Sequence, residues 1–389
     1  MKLAEIQHAI VAEGLDGWLF FDHHQRDPLA YGILGLPTGR MCTRRWYYFI
    51  PASGEPRKLV HKIEPFQLDS LPGSKSAYAG WEQQKQEITA MMGSAKRIAM
   101  QYSPDCAVPY VSLVDGGTIE LVRSLGFEIA TSANLVQQFE ARWTPEQFEM
   151  HLEAGRRVDE TLAETFQHIR DRIRSNQSIN EWEAQEFIKR GFSERGLFTD
   201  HGPNVSVNAN SSDPHYDPQS SACSPIRAGD TLLIDLWAKL NQPHAVYYDI
   251  TWMAYCGDSV PAEYQKVFDI VKGARNAAIA RVETGIASGD PLYGYQVDDA
   301  ARAFIRDHGF ADYFYHRTGH SIGTEVHGTG ANMDNLETHD ERRVIPFTCF
   351  SIEPGIYLPN FGVRLEVNMF VDDSRARVTG KIQDQLVLV

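Results

Sequence analysis

Thr231-Leu232-Leu233-Ile234-Asp235-Leu236-Trp237 reads as a strand with a carboxylate set among apolar neighbours. Burying an unpaired Asp is costly, so a charge in such a strand calls for a compensating partner. A second strand, Ala245-Val246-Tyr247-Tyr248-Asp249-Ile250-Thr251-Trp252, repeats the pattern. With Leu240 to His244 turning the chain, the midpoint of Asp235 and Asp249 falls at Gln242. A symmetric hairpin then sets the two carboxylates directly opposite each other.

Further on, Phe350-Ser351-Ile352-Glu353-Pro354-Gly355 turns through Pro359-Asn360 into Gly362-Val363-Arg364-Leu365-Glu366. The midpoint of Glu353 and Glu366 lies between Pro359 and Asn360, so this hairpin also opposes two acids. Opposed residues on antiparallel strands have Cβ atoms about 5 Å apart, where like charges repel. One such pair can share a proton; two pairs on neighbouring hairpins point to bound cations. Between the hairpins lies His316-Arg317-Thr318-Gly319-His320-Ser321-Ile322-Gly323-Thr324-Glu325-Val326-His327, with glycines that admit close backbone approach. One imidazole and four carboxylates suit two divalent ions of the Mn, Co or Zn kind, bridged by carboxylates.

Outward from these strands, residues 144–389 read as α+β. Thr144, Pro145 and Gln147 form a helix-opening signature, and the helix runs to about Arg174. Further helices are predicted from Pro261 to Thr284, stopped by Gly285, and from Asp290 as cap, with Pro291 inside, to His308-Gly309. Strands are expected at residues 231–239, 246–255, 347–353 and 363–371. Ahead of this half, residues 1–140 alternate strand-like runs (17–22, 45–52, 58–63, 97–102 and 127–131) with helices such as 3–13 and 117–125, an α/β pattern.

Acidic residues outnumber basic ones 51 to 37, a net charge of −14 with no basic stripe, which speaks against nucleic acid as a partner. Met1 to Gly14 lacks the continuous apolar stretch of a signal peptide, and the apolar runs are far shorter than the roughly 20 residues that span a bilayer. Five cysteines without a Cys-x-x-Cys pair read as buried thiols in a reducing compartment. A soluble cytoplasmic protein is the expectation.

The acids and the histidine stand in phrases that resemble the motifs of the pita-bread metallopeptidases: D-x-G followed by D-I-T-R, then G-H-x-x-G-x-x-x-H, E-P-G-x-Y and R-x-E. Here they read Asp235-Leu236-Trp237, Asp249-Ile250-Thr251-Trp252, Gly319-His320 to His327, Glu353-Pro354-Gly355-Ile356-Tyr357 and Arg364-Leu365-Glu366. The likeness covers the chain from Thr144 onward. It implies an α/β N-terminal domain (1–140, creatinase-like) followed by an α+β pita-bread catalytic domain (144–389). The presence of the first half sets the chain apart from methionine aminopeptidases.

What the resemblance implies for function is a dinuclear Xaa-Pro dipeptidase (prolidase) acting on short proline-containing peptides through a hydroxide that bridges two metal ions. Asp235, Asp249, His320, Glu353 and Glu366 are the implied ligands, with Mn the first choice and Co or Zn the alternatives. Glu353 is the implied proton carrier, and His327 and His215 the implied contacts to the substrate carbonyl. Arg364 and Tyr357 are further substrate contacts, Tyr216 and Tyr357 the aromatic neighbours of the proline ring, and His316 a support to the ligands. Family members are usually dimers, so a homodimer is expected. Alternatives are an aminopeptidase P, which leaves the far end of the groove open, a metal-free creatinase-like hydrolase, and a peptide-binding module without catalysis. Three departures bear on specificity: the gap from Asp235 to Asp249 is longer than the family's, Trp252 stands for its Arg, and Val367 for its acid.

Overall fold

In the computed structural model, which describes residues 2–389, the first part of the chain forms a layered unit ending at Glu140. Its helices are α1 (Leu3–Ala12), α2 (Pro28–Leu34), α3 (Trp81–Met92), α4 (Gly116–Ser124) and α5 (Ala133–Val136). Its strands are β1 (Gly17–Asp22), β2 (Trp46–Pro51), β3 (Arg57–His61), β4 (Ser74–Tyr78), β5 (Arg97–Met100) and β6 (Glu128–Thr131). They make one mixed sheet in the order β4-β3-β2-β1-β5-β6. All of β1 is buried because both faces are covered. Trp18 and Phe20 enter a core with Ile6, Ile10 and Leu34, while Leu19 and Phe21 enter one with Ile88, Met91 and Val122. A strand covered on both sides reads as a continuous apolar run. The sequence reading missed β4, an exposed edge whose Ser-Lys-Ser start carries no apolar signal.

The second unit spans Ala141–Val389. In chain order it comprises α6 (Pro145–Arg174), α7 (Glu181–Glu194), β7 (Leu197–Phe198), β8 (Asn204–Val207), β9 (Thr231–Leu240), β10 (Tyr248–Tyr255), α8 (Ala262–Ser288) and α9 (Gly294–Asp307). After these come β11 (Ser321–Ile322), β12 (Cys349–Ile352), β13 (Gly355–Leu358), β14 (Phe361–Arg364), β15 (Val367–Val371), β16 (Ala376–Thr379) and β17 (Val387–Leu388). The first helix opens as the sequence dictates: Thr144 accepts from the Gln147 backbone while the Gln147 side chain accepts from Thr144 N–H.

One sheet runs β17-β10-β9-β7, with β8 also paired to β9; a second runs β11-β12-β15-β16, and β13 and β14 form a hairpin. Alternation along β9 divides its labour. Leu232, Ile234, Leu236 and Ala238 enter the core shared with α6 and α7, whereas Leu233 enters the core shared with α8 and α9. Asp235 and Trp237 lie on the Leu233 side, where β12 to β15 come together.

Several expectations need correction. Gly285 does not stop α8: it sits buried within the helix against Leu292 and Arg281, and Gly289, at φ 75°, makes the left-handed cap. Asp290 and Pro291 precede α9, whose cap is Tyr293. The expected strand over 363–371 breaks at Leu365 and Glu366. Not all the cysteines are buried: the five are free, Cys106 is exposed and Cys223 half-buried. No helix among the described residues is long and apolar enough to cross a membrane.

Candidate metal centre

Register sets the acids. In the β9–β10 hairpin Asp235 pairs with Thr251, and Asp249 with Trp237. The two aspartates are therefore diagonal rather than directly opposed, as a symmetric turn about Gln242 required. The turn is centred one residue later because non-local bonds shape it: Asn241 N–H donates to Gly196 O and Tyr247 N–H to Gly323 O. A two-residue offset preserves the face, so both carboxylates still point the same way.

The glutamates occupy a gap between two ladders of one register. Ile352 pairs with Val367 on one side and Gly355 with Arg364 on the other, which leaves Glu353 across from Glu366. Released from the ladder, Glu353 N–H donates to Thr318 O and Glu366 N–H to Thr251 O. Asp298 of α9, fully buried, accepts from the Thr318 backbone and hydroxyl and pairs with Arg302, so a helix braces the segment that holds Glu353. Gly319 follows Thr318 because a Cβ there would lie 1.9 Å from Ser351 O. That close approach sets His320 beside β12, its backbone N–H bonded to Ser351 Oγ, which in turn donates to Glu353 Oε1 at 3.0 Å.

Asp249, His320 and Glu366 each offer a ligand atom within 4.8 Å of the other two, and all three are buried. His320 Nε2 lies 3.5 Å from Asp249 Oδ2 and 3.4 Å from Glu353 Oε1. Its Nδ1–H donates to Ser321 O at 3.1 Å, so Nε2 faces the acids; burial pulls the ring's pKa down, but Asp249 and Glu353 raise it overall, and a cation there would take the place of the Nε2 proton. Asp235 accepts from Arg364 Nη2 at the edge of the same cluster.

The electrostatics describe a nest short of positive charge. Burial raises Glu366 well above its ordinary value, with Asp249, Glu353 and Asp235 adding to the rise. Burial likewise lifts Asp235 to about 7 against the pull of Arg364, and raises Asp249 despite its bond to His320. Glu353 goes the other way: burial pushes it up, but His320, His316 and Arg364 together hold it below the usual carboxylate range. Two buried oxygens, Asp249 Oδ1 and Glu366 Oε1, have no hydrogen-bond partner. Orphaned acceptors on adjacent acids, with Nε2 of His320 facing Asp249 and Glu353, fit divalent cations.

The other predicted residues fall around this nest. His327 is exposed and packs edge-on against His320 at 4.4 Å. The charge of His320, with desolvation second, holds it down to about 3. His215 is exposed, its backbone N–H bonded to Asp213. Arg364 and Tyr357, expected to touch substrate, are instead only 3% and 4% exposed and bonded within the protein. Arg364 Nη1 donates to Tyr357 OH at 3.2 Å and Nε to Thr251 Oγ1 at 3.1 Å. Tyr357 OH donates to His316 Nε2 at 2.7 Å, while His316 Nδ1–H donates to Arg317 O at 2.6 Å. Burial takes His316 down to about 4, so this chain runs through a neutral ring. Trp252 and Val367 point away from the nest: Trp252 packs at the edge of the α6–α7 core and Val367 within the α8–α9 core.

Three neighbours escaped the sequence reading. Thr251 Oγ1 donates to Glu366 Oε2 at 2.9 Å, Asn368 clasps the Asp249 backbone at both N–H and C=O, and Ser351 links Glu353 to His320. Thr251 was findable, being two residues beyond Asp249 on the same face.

The model of metallopeptidase family M24 matches residues 149–373. The chain belongs to metallopeptidase family M24. Within that family, the Xaa-Pro dipeptidase of Lactobacillus delbrueckii subsp. lactis is 27% identical over 214 residues, 55% of this chain and 52% of that protein. The chain spans about half the length of the curated relatives it matches. Among solved structures, dipeptidase PepE from Mycobacterium ulcerans aligns at TM-score 0.69 and 22% identity, over 100% of this chain and 97% of that one. X-Pro aminopeptidase from Thermotoga maritima aligns at 0.59 and 19%, over 97% and 99%. At these identities the structural likeness speaks for the fold, an α/β N-terminal unit followed by the pita-bread unit of M24 peptidases.

Proposed function

We propose that this M24 protein is a dinuclear-metal-dependent Xaa-Pro dipeptidase that hydrolyses the bond before proline in short peptides. The observation that carries this reading is the buried convergence of Asp249, His320 and Glu366 within 4.8 Å, with unpartnered oxygens on both acids. Asp235 and Glu353 complete the proposed ligand set. Residues 144–389 are assigned as the catalytic domain and 1–140 as the N-terminal α/β domain. Mn is the first choice of ion, with Co or Zn as alternatives. The five free cysteines support the expected cytoplasmic setting, and the family likeness is the ground for expecting a homodimer.

When bound, divalent ions would supply Lewis acidity and bring the pKa of a coordinated water down to about 7. Glu353, whose pKa its surroundings hold below the usual carboxylate range, would take the attacking water's proton and return it to the proline nitrogen. That return matters because the leaving group is a tertiary amide nitrogen with no proton of its own. His327, neutral in this setting, and His215 donate hydrogen bonds to the carbonyl oxygen as charge develops there. Arg364 and Tyr357 are assigned a bracing role, keeping Asp235 and His316 in place.

The test is a panel of Xaa-Pro, Xaa-Pro-Yaa and Xaa-Ala peptides, assayed with metal-stripped protein and after addition of Mn, Co or Zn. Metal-dependent cleavage of Xaa-Pro is the expected result. Preference for the tripeptides shifts the assignment to aminopeptidase P, named among the structural neighbours. Cleavage that persists after chelation, or none with any metal, contradicts the reading.

A further inference from the structure

The partner of Asp249 across the hairpin is Trp237, on the same face of β9 as Asp235. Directly paired residues have Cβ atoms about 5 Å apart, so the indole borders the nest. It is only partly covered. It packs at the rim of the cluster holding Tyr247 and Ile322, as does Val326, which precedes His327. Its Nε1–H donates to Asp200 Oδ1 at 2.8 Å, which fixes the ring and leaves its face free of polar duty. Burial pushes Asp200 up, but the bonds from Trp237 and His201 hold it below its ordinary value, so the acceptor stays charged.

Of the two tyrosines expected beside the proline ring, both are tied to the protein through their hydroxyls. Tyr216 OH donates to Glu181 Oε2 at 2.7 Å, and Tyr357 is buried between Arg364 and His316. Proline in the leaving position has no N–H to recognise, so its selection rests on apolar contact with the ring, which a flat aromatic face provides. We propose that the indole face of Trp237 is the wall against which the substrate's proline ring packs, and that Asp200 positions it. This deepens the peptidase reading above and rests on it. The family pattern has glycine at this position, so the wall belongs to this chain's own sequence.

The test compares wild type, Trp237→Gly, Trp237→Phe and Asp200→Ala, each loaded with the same metal, on Ala-Pro and on Ala-(N-methyl-Ala), which keeps the tertiary amide without the ring. The Gly variant is expected to lose about tenfold of the wild type's preference for Ala-Pro in kcat/KM, mainly through KM, with Phe restoring it to within about threefold. Asp200→Ala falls between the two. Equal preference in all four proteins overturns the proposal. Metal content measured on the same samples separates a lost wall from a lost nest; if the Gly variant binds less metal, Trp237→Leu takes its place with the same expectation. If wild type cleaves neither peptide, the dipeptidase reading fails, and calorimetric titration with proline decides the wall by itself. Binding weakened about tenfold by Gly and recovered by Phe supports it; equal binding, or none to wild type, refutes it.

Discussion

Replacing Glu366 by Gln in the metal-free protein is expected to raise its melting temperature, although the residue is buried and bonded to Thr251. The reason is the company it keeps. Glu366 lies with a ligand oxygen within 4.8 Å of one on Asp249, and both have an oxygen without a partner. At an effective dielectric near 20, two unit charges at that separation repel by about 3 kcal/mol, an upper limit because burial already favours a protonated Glu366. A Gln amide removes the charge, keeps an acceptor for Thr251 and places a donor next to Asp249. For a domain of this size about 1 kcal/mol moves the melting temperature by about 2–4 °C, so the variant melts between 0 and about 10 °C above wild type in chelator. With saturating Mn the order reverses, because wild type gains the linkage stabilisation of its ions and the variant gains less. Scanning calorimetry in both conditions makes the comparison. A metal-free variant melting several degrees below wild type would show that the acids are not in conflict and refute the reasoning.

Other predictions address separate parts of the molecule. Asp249→Asn and Glu366→Gln each lower Xaa-Pro turnover by more than about a hundredfold while far-ultraviolet circular dichroism stays unchanged; a variant with wild-type rates leaves the ligand set. His151, buried between Tyr247 O and Thr379 Oγ1, is held down by burial to about 4 from 6.5. The unfolded chain therefore binds the extra proton first, so its contribution is intact above pH 6.5 and declines as pH falls towards 4, by about 3 kcal/mol in total. Urea denaturation from pH 7 to 4.5 measures that decline, and His151→Gln flattens it. Thr144→Ala removes one half of the α6 capping box and costs about 1 kcal/mol by the same assay.

Features set by local chemistry were legible in the sequence. The α6 start follows from Thr144, Pro145 and Gln147 alone, and the Glu353–Glu366 register follows from a two-residue turn whose midpoint is fixed by symmetry. The β9–β10 hairpin was misplaced because its loop takes its shape from Gly196 and Gly323, distant in sequence. Gly285 was ambiguous by nature: the same missing side chain serves a helix end or a tight packing contact, and only Leu292 beside it decides. Arg364 and Tyr357 carry chemistry suited to a ligand, yet a sequence cannot show that their donors are already taken by Thr251, Asp235 and His316. Trp237 stands within a ligand motif in the sequence, but its partnership with Asp200 spans 37 residues and has no local sign.

The central claim is that the acid nest holds a pair of divalent ions. The direct measurement is metal content per chain, by plasma mass spectrometry, after stripping, reloading with Mn and desalting, for wild type and for Asp249→Asn. The account predicts two ions per chain in the wild type and a loss of at least one in the variant. Fewer than one per wild-type chain, or equal content in both proteins, contradicts it.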